Sequence, residues 1–143
     1  MSHRPWTRHL GVAFVLAAVL TLFPVAAAPA ESRSTGPSGA TNICRIDWRR
    51  GTWHVRKLIR CAANHYDTGV RRSLHIAFRE SRYQPRAFNA STCAKGIYQH
   101  LCRYWRDRAD AFGFDDRSAF NARANIIVTM RMVRRFGWAP WGG

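Results

Sequence analysis

The sequence predicts an all-α or nearly all-α domain, and three observations predict it. Apolar residues recur at helical spacing in four separate segments after residue 50. No stretch alternates apolar and polar residues for long enough to make an ordinary strand. Pro, Gly, Asn and Ser gather between the periodic segments, where chain reversals belong. At most a minimal β element is expected, near the loop 84–99.

The elements follow in order. Thr52 can cap a helix running to about Asn64, with Val55, Leu58, Ile59, Ala62 and Ala63 on its apolar face. Asp67 or Thr68 can start a second helix, whose stripe is Val70, Leu74, Ala77 and Phe78. Pro85 forbids its continuation, so it ends between Ser81 and Tyr83. Residues 84–99 read as loop, with Pro85, Asn89, Ser91, Thr92 and Gly96. A third helix is expected from His100 to Phe112, carrying Tyr104, Trp105, Ala109 and Phe112. A fourth follows Ser118 as N-cap, shows Phe120, Ile126, Ile127, Met130 and Val133, and stops at Gly137.

The chain has 143 residues, room for one ordinary domain and some extra segments. Its first residues carry Arg4 and Arg8, then an uncharged run GVAFVLAAVLTLFPVAAA, then Ala28-Pro29-Ala30. A basic start, an apolar run and an A-x-A site are the pattern of a secretory signal peptide, expected over 1–30. An uncleaved membrane anchor is the alternative, because the apolar run approaches a spanning length. Pro24 and the small-residue exit favour cleavage. Residues 31–41, ESRSTGPSGAT, have linker composition, and the domain is expected over 42–143. The destination expected is secreted or cell-wall associated, with no stable membrane insertion after cleavage.

Export changes how the cysteines read. Cys44, Cys61, Cys93 and Cys102 form an even set in an oxidising compartment, which implies two disulfides. Pairing Cys44 with Cys61 and Cys93 with Cys102 closes two short local loops. A zinc site is the rival, but there is no C-x-x-C and no matching His spacing, so no metal is expected.

The formal net charge is +15, and +13 without residues 1–30. A field of that sign attracts polyanions. For an exported chain these are anionic wall polymers or membrane surfaces rather than nucleic acid, and a merely solvated basic face is the plain alternative.

Against this background one residue stands out. The chain has only two glutamates, and Glu31 lies in the linker composition, so Glu80 in HIAFRESRYQP is the single Glu of the domain. Helical rotation puts it at the edge of the stripe through Ala77, with Arg79 and Arg82 turned away. Partial desolvation there raises a carboxyl pKa and suits a general acid. A surface Glu that happens to end a helix is the competing reading. Ser81 and Gln99 are expected to add neutral hydrogen bonds around it.

The run ESRYQPRAFN, followed by KGIYQ, resembles the paired signature of lytic transglycosylases of the soluble-lytic-transglycosylase type. NIIVTMRMVRRFGWAPW is similar to the late helix and G-W-x-P-W end of small secreted members of that lysozyme-like superfamily. The likeness covers Ile43 to the C-terminus. It implies a lysozyme-like helical domain with Glu80 as catalytic acid and base. It further implies that Ser81, Gln99, Tyr98 and Asn125 serve the substrate, with Tyr83 as the aromatic beneath the site. Such enzymes cleave the β-1,4 bond between N-acetylmuramic acid and N-acetylglucosamine in peptidoglycan glycan strands. One Glu protonates the leaving oxygen, then takes the proton of the muramic acid 6-hydroxyl, closing a 1,6-anhydro ring without water. No cofactor is implied, a monomer is expected, and a hydrolytic lysozyme-type product stays open.

Ordinary glycosidases use two carboxylates, and none of the remaining ones sits in a pattern resembling a second catalytic carboxylate. Asp67 reads as a cap, Asp107 and Asp110 as solvated or ion-paired among arginines, and Asp115 and Asp116 as loop and helix start, with Asp47 the sixth. Larger family members carry a further Tyr in an A-Y-N-A-G-like segment; this chain has no Tyr after Tyr104. Trp105, Trp138 and Trp141 are candidates for sugar stacking or for core packing. His75 and His100 read as structural or surface residues. Two other functions stay open: a wall-binding domain without chemistry, and a basic antimicrobial or polyanion-binding protein.

Overall fold

The computed structural model describes residues 43 to 142. The expected signal segment 1–30 and linker 31–41 lie outside the described residues. The order of elements is a 3-10 turn at Trp48–Arg50, α1 (Thr52–Tyr66), α2 (Val70–Ser81), β1 (Phe88–Asn89), β2 (Ala94–Lys95), β3 (His100–Leu101), α3 (Cys102–Asp110), α4 (Ala122–Phe136) and a 3-10 turn at Ala139–Trp141. The class is mainly helical, as the periodicity implies.

The helix ends differ from expectation, for local reasons. Gly51, not Thr52, precedes α1, and no side chain caps that end. Asp67 does not start α2; it adopts a left-handed conformation (φ 53°) that closes α1, its N–H reaching Ala63 and Asn64 carbonyls. Gly69 precedes α2, and the Ser73 hydroxyl donates to its carbonyl at 2.9 Å. At the other end Arg82 and Tyr83 are both left-handed, so the chain turns off α2 before Pro85. The N-cap of α4 is Asn121, whose side chain accepts from Ala124 N–H at 3.1 Å. Ser118 accepts instead from Phe120 N–H at 3.2 Å.

A small antiparallel sheet, β1-β2-β3, occupies the stretch read as loop. Its register pairs Phe88 with Lys95, Asn89 with Ala94, Ala94 with Leu101 and Lys95 with His100. Because His100 and Leu101 are strand, α3 begins two residues later than the sequence suggests and ends earlier, at Asp110. Two-residue strands are too short to be stable alone. The Cys93–Cys102 disulfide brackets β2 and β3, and Cys102 N–H donates to Cys93 O at 2.8 Å just outside the ladder. The second disulfide, Cys44–Cys61, ties the segment before the first turn to α1. The four cysteines thus pair as two short loops.

The core is organised by α4. Ten of its 15 residues are buried, including Ile126, Ile127, Val128 and Met130, so its surroundings close around most of its circumference. α1 contributes Val55, Leu58, Ile59 and Ala62, and α2 contributes Ile76 and Ala77. Ile97, Tyr98, Trp138 and Trp141 complete it.

Gly96 shows how tightly the sheet segment is held against α4. Its φ is +80°, and a Cβ there would lie 2.2 Å from the Ala119 carbonyl oxygen and 2.4 Å from Asn125 Nδ2. Backbone strain and a clash with buried backbone act together, so Gly96→Ala lowers stability by about 2–4 kcal/mol. Urea denaturation of the two proteins checks this; a loss under about 0.5 kcal/mol would mean that the segment yields freely.

Candidate active site

Glu80 stands one residue before the end of α2, where the apolar stripe meets the surface, and its side chain keeps 23% exposure. It opens into a cleft of about 600 Å³ lined from four parts of the chain. α2 gives Arg79 and Glu80; the sheet region gives Asn89, Thr92, Ala94, Gln99 and Leu101; α3 gives Arg108; the last turn gives Pro140 and Trp141. The structure therefore brings Glu80 and Gln99 into one site across 19 residues of sequence.

Gln99 is oriented unambiguously. Its Nε2 donates to the carbonyls of Gly96 (2.9 Å) and Ala87 (3.3 Å), so the amide nitrogen is the end turned to the backbone. Among the described residues its Oε1 accepts from no protein donor, which leaves an acceptor for a ligand hydroxyl or amide. A left-handed backbone at Gln99 (φ 49°) sets this direction.

The expectation that the neighbouring arginines turn away from Glu80 is corrected for Arg79. Its Nη2 and Nε donate to Glu80 Oε1 at 2.6 and 3.1 Å, and Nη2 also reaches the Trp141 carbonyl at 2.6 Å. The direction of a Cβ does not limit a side chain as long as arginine, whose stem lies along the surface while its head finds charge. In this state Glu80 is the carboxylate half of an ion pair.

The other site residues named from the sequence, Ser81, Tyr98, Asn125 and Tyr83, are not on the lining of the cleft. Ser81 is buried, its hydroxyl donating toward the carbonyls of Ile97 (2.8 Å) and Ala77 (3.1 Å), which joins the end of α2 to the sheet segment. Tyr98 is fully buried; its hydroxyl donates to Ser73 O at 2.9 Å, and burial pushes its pKa well above the usual value. Asn125 is fully buried too, holding the backbone of this segment through its amide. Tyr83 packs against Phe78 at 5.6 Å between ring centres, with the Arg56 guanidinium over its ring.

Of the three tryptophans, Trp138 is core, donating to Thr68 O at 3.2 Å. Trp105 donates to Arg117 O at 2.8 Å. Trp141 is buried and also borders the cleft, its indole N–H donating to Tyr98 O at 2.8 Å. Neither Arg108, Asn89 nor Thr92 carries a distinguishing pattern in the sequence; Arg108 sits in an arginine-rich helix where any one looks like the next.

His100 supplies a second buried network, while His75 is exposed. The Arg108 guanidinium, which only donates, meets His100 Nδ1 at 3.0 Å. The ring proton therefore sits on Nε2 and is donated to Thr129 Oγ1 at 2.8 Å, and Thr129 donates on to Asn125 O at 2.8 Å. Burial first, and the Arg108 charge second, push the His100 pKa down to about 3, against the backbone contact to Asn125, which raises it. Among the described residues no cluster of three His, Cys, Asp or Glu side chains could hold a metal ion.

The neutral His100 has a consequence for stability. Between pH 6.5 and about 3 the unfolded chain takes up a proton at this residue and the folded chain does not, so stability falls as pH falls through that window. The slope from this group approaches about 1.4 kcal/mol per pH unit. Urea midpoints at pH 6.5 and 5 are expected to converge in His100→Gln; an unchanged difference would mean that other groups carry it.

Compared with known protein families, with characterised proteins and with solved structures, the chain matches none.

Proposed function

We propose that the protein cleaves peptidoglycan glycan strands at the β-1,4 bond between N-acetylmuramic acid and N-acetylglucosamine. Glu80 acts as acid and then as base, and no cofactor takes part. The observation that carries this reading is the single carboxylate of the cleft. Among the described residues Glu80 is the only acidic one on its lining, and all six aspartates are exposed elsewhere. Two-carboxylate hydrolysis has no second partner there, whereas a lytic transglycosylase route needs one Glu and an internal nucleophile on the sugar.

In this reading Gln99 Oε1 accepts from a sugar hydroxyl or acetamido N–H. The Arg79 contact loosens when Glu80 holds the proton and re-forms when the leaving oxygen has taken it. Arg79 then steadies the carboxylate that receives the 6-hydroxyl proton. The two disulfides suit an oxidising compartment outside the cytosol, in keeping with a secreted or wall-associated enzyme. Among the described residues no helix is long and apolar enough to cross a membrane.

A second reading is a wall-binding domain without chemistry. A trough around Trp48 and Arg49, extended by Arg86 and Phe120 and free of acidic residues on its lining, favours it. Binding through such a surface weakens steeply with salt and does not depend on Glu80.

Glu80→Gln separates the two. Release of soluble muropeptides from purified walls is expected to fall by at least about 100-fold, while sedimentation with the walls persists. Digestion at the parental rate would sink the assignment. Mass spectrometry of the released fragments then reads the route, since the anhydro product is lighter than the hydrolysed one by one water.

A further inference from the structure

We infer that Arg108 is the receptor for a carboxylate carried by the ligand of the Glu80 cleft. The inference rests on the glycan reading above for the identity of that carboxylate, the free lactyl group of a muramic acid residue that carries no stem peptide.

Arg108 differs from the other arginines of α3. Arg103 and Arg106 are exposed, whereas Arg108 is half-buried and borders the cleft. A guanidinium has five N–H donors, and Arg108 uses one of them, toward His100 Nδ1. The Tyr104 ring lies 5.1 Å from its centre and supports the cation without accepting a hydrogen bond in the plane. Among the described residues no carboxylate pairs with it. The acid within the cleft, Glu80, is already held by Arg79.

A partly desolvated cation with unmet donors carries a free-energy cost that an anionic ligand removes. The lining charges are Arg79 and Arg108 against Glu80, so the cleft holds one positive charge in excess. A planar fork of donors matches a carboxylate in two parallel hydrogen bonds. His100 makes the fork rigid: buried on every side, proton on Nε2, it anchors the guanidinium through Nδ1 and is itself anchored by Thr129 on α4. Arg108 is thus a substrate-positioning residue, and His100 acts through it.

The test uses two tetrasaccharides that differ in the lactyl group. One is the neutral N-acetylglucosamine tetramer; the other is the peptide-free alternating tetramer, with carboxylates on its muramic acid residues. Binding is titrated in the Glu80→Gln background, so that cleavage does not intervene. Arg108→Ala is expected to weaken the anionic tetramer at least tenfold and to change the neutral one less than twofold. Arg108→Gln, which keeps a donor for His100, is expected to give the same pattern and carries the test if the alanine variant folds poorly. Equal losses for both ligands would assign Arg108 a purely structural role and overturn the inference. Unchanged binding of both would overturn it while leaving the glycan reading intact. Failure of the anionic tetramer to bind the Glu80→Gln protein with Arg108 intact would overturn the glycan reading and this inference with it.

Discussion

One buried amide holds the site together. Asn125 Oδ1 accepts from Tyr98 N–H at 2.9 Å, and its Nδ2 donates to the carbonyls of Ala119 (2.9 Å) and Lys95 (3.2 Å). Fully buried polar groups are costly unless satisfied, and here the geometry leaves little choice of partner. The segment from Lys95 to Tyr98 must therefore lie on α4 in one register, with Gly96 pressed against the amide where no Cβ fits. Gln99 follows immediately, so its position in the cleft derives from Asn125. The backbone carbonyl of the same residue receives Thr129, which receives His100, which orients Arg108. The Gln99 and Arg108 sides of the cleft thus both trace back to one position of α4.

Glu80 is held from a different direction. The Arg79 guanidinium spans the carboxylate and the Trp141 carbonyl, and the Trp141 indole reaches Tyr98 O at 2.8 Å. The last 3-10 turn therefore joins α2 to the sheet segment through polar contacts on opposite ends of one residue. Rings of Tyr98, Trp138 and Trp141, with centroids about 6 Å apart, fill the space beneath. Charge sits on a rigid aromatic base, which lets a small domain present an acid without a large core around it.

Much of this was legible in the sequence, and the exceptions have physical causes. The stripes through Val55–Ala63 and Ile126–Val133 are long enough for a period to register, so the helices that carry the core were readable. The starts of α1 and α2 were not, because Gly51 and Gly69 precede these helices without the side-chain signal that Ser, Thr or Asp would give. Two-residue strands contain no period at all, so the sequence supported no more than a minimal β element near the loop 84–99. Glu80 was visible through its scarcity and Gln99 through its motif. Asn125 and Tyr98 were visible as motif residues, but a pattern of letters does not say whether a polar side chain faces a ligand or the backbone of its own fold. Arg79 and Arg108 were hidden for a related reason: in an arginine-rich chain, reach and burial single out the ones that matter, and neither is written in the order of residues.

The covalent bracket around β2 and β3 gives the two sides of the cleft unequal dependence on their chemical surroundings. Glu80 belongs to a helix of 12 residues whose hydrogen bonds are its own. Gln99 lies inside the loop closed by Cys93 and Cys102, in the turn between two strands that two residues each cannot sustain. As thiols, those cysteines would leave the Gln99 side to Asn125 and the ladder alone, while the Glu80 side kept its support. Assembly of the complete cleft is thereby coupled to thiol oxidation, and a chain kept reduced would carry the acid before it carried the rest of the site.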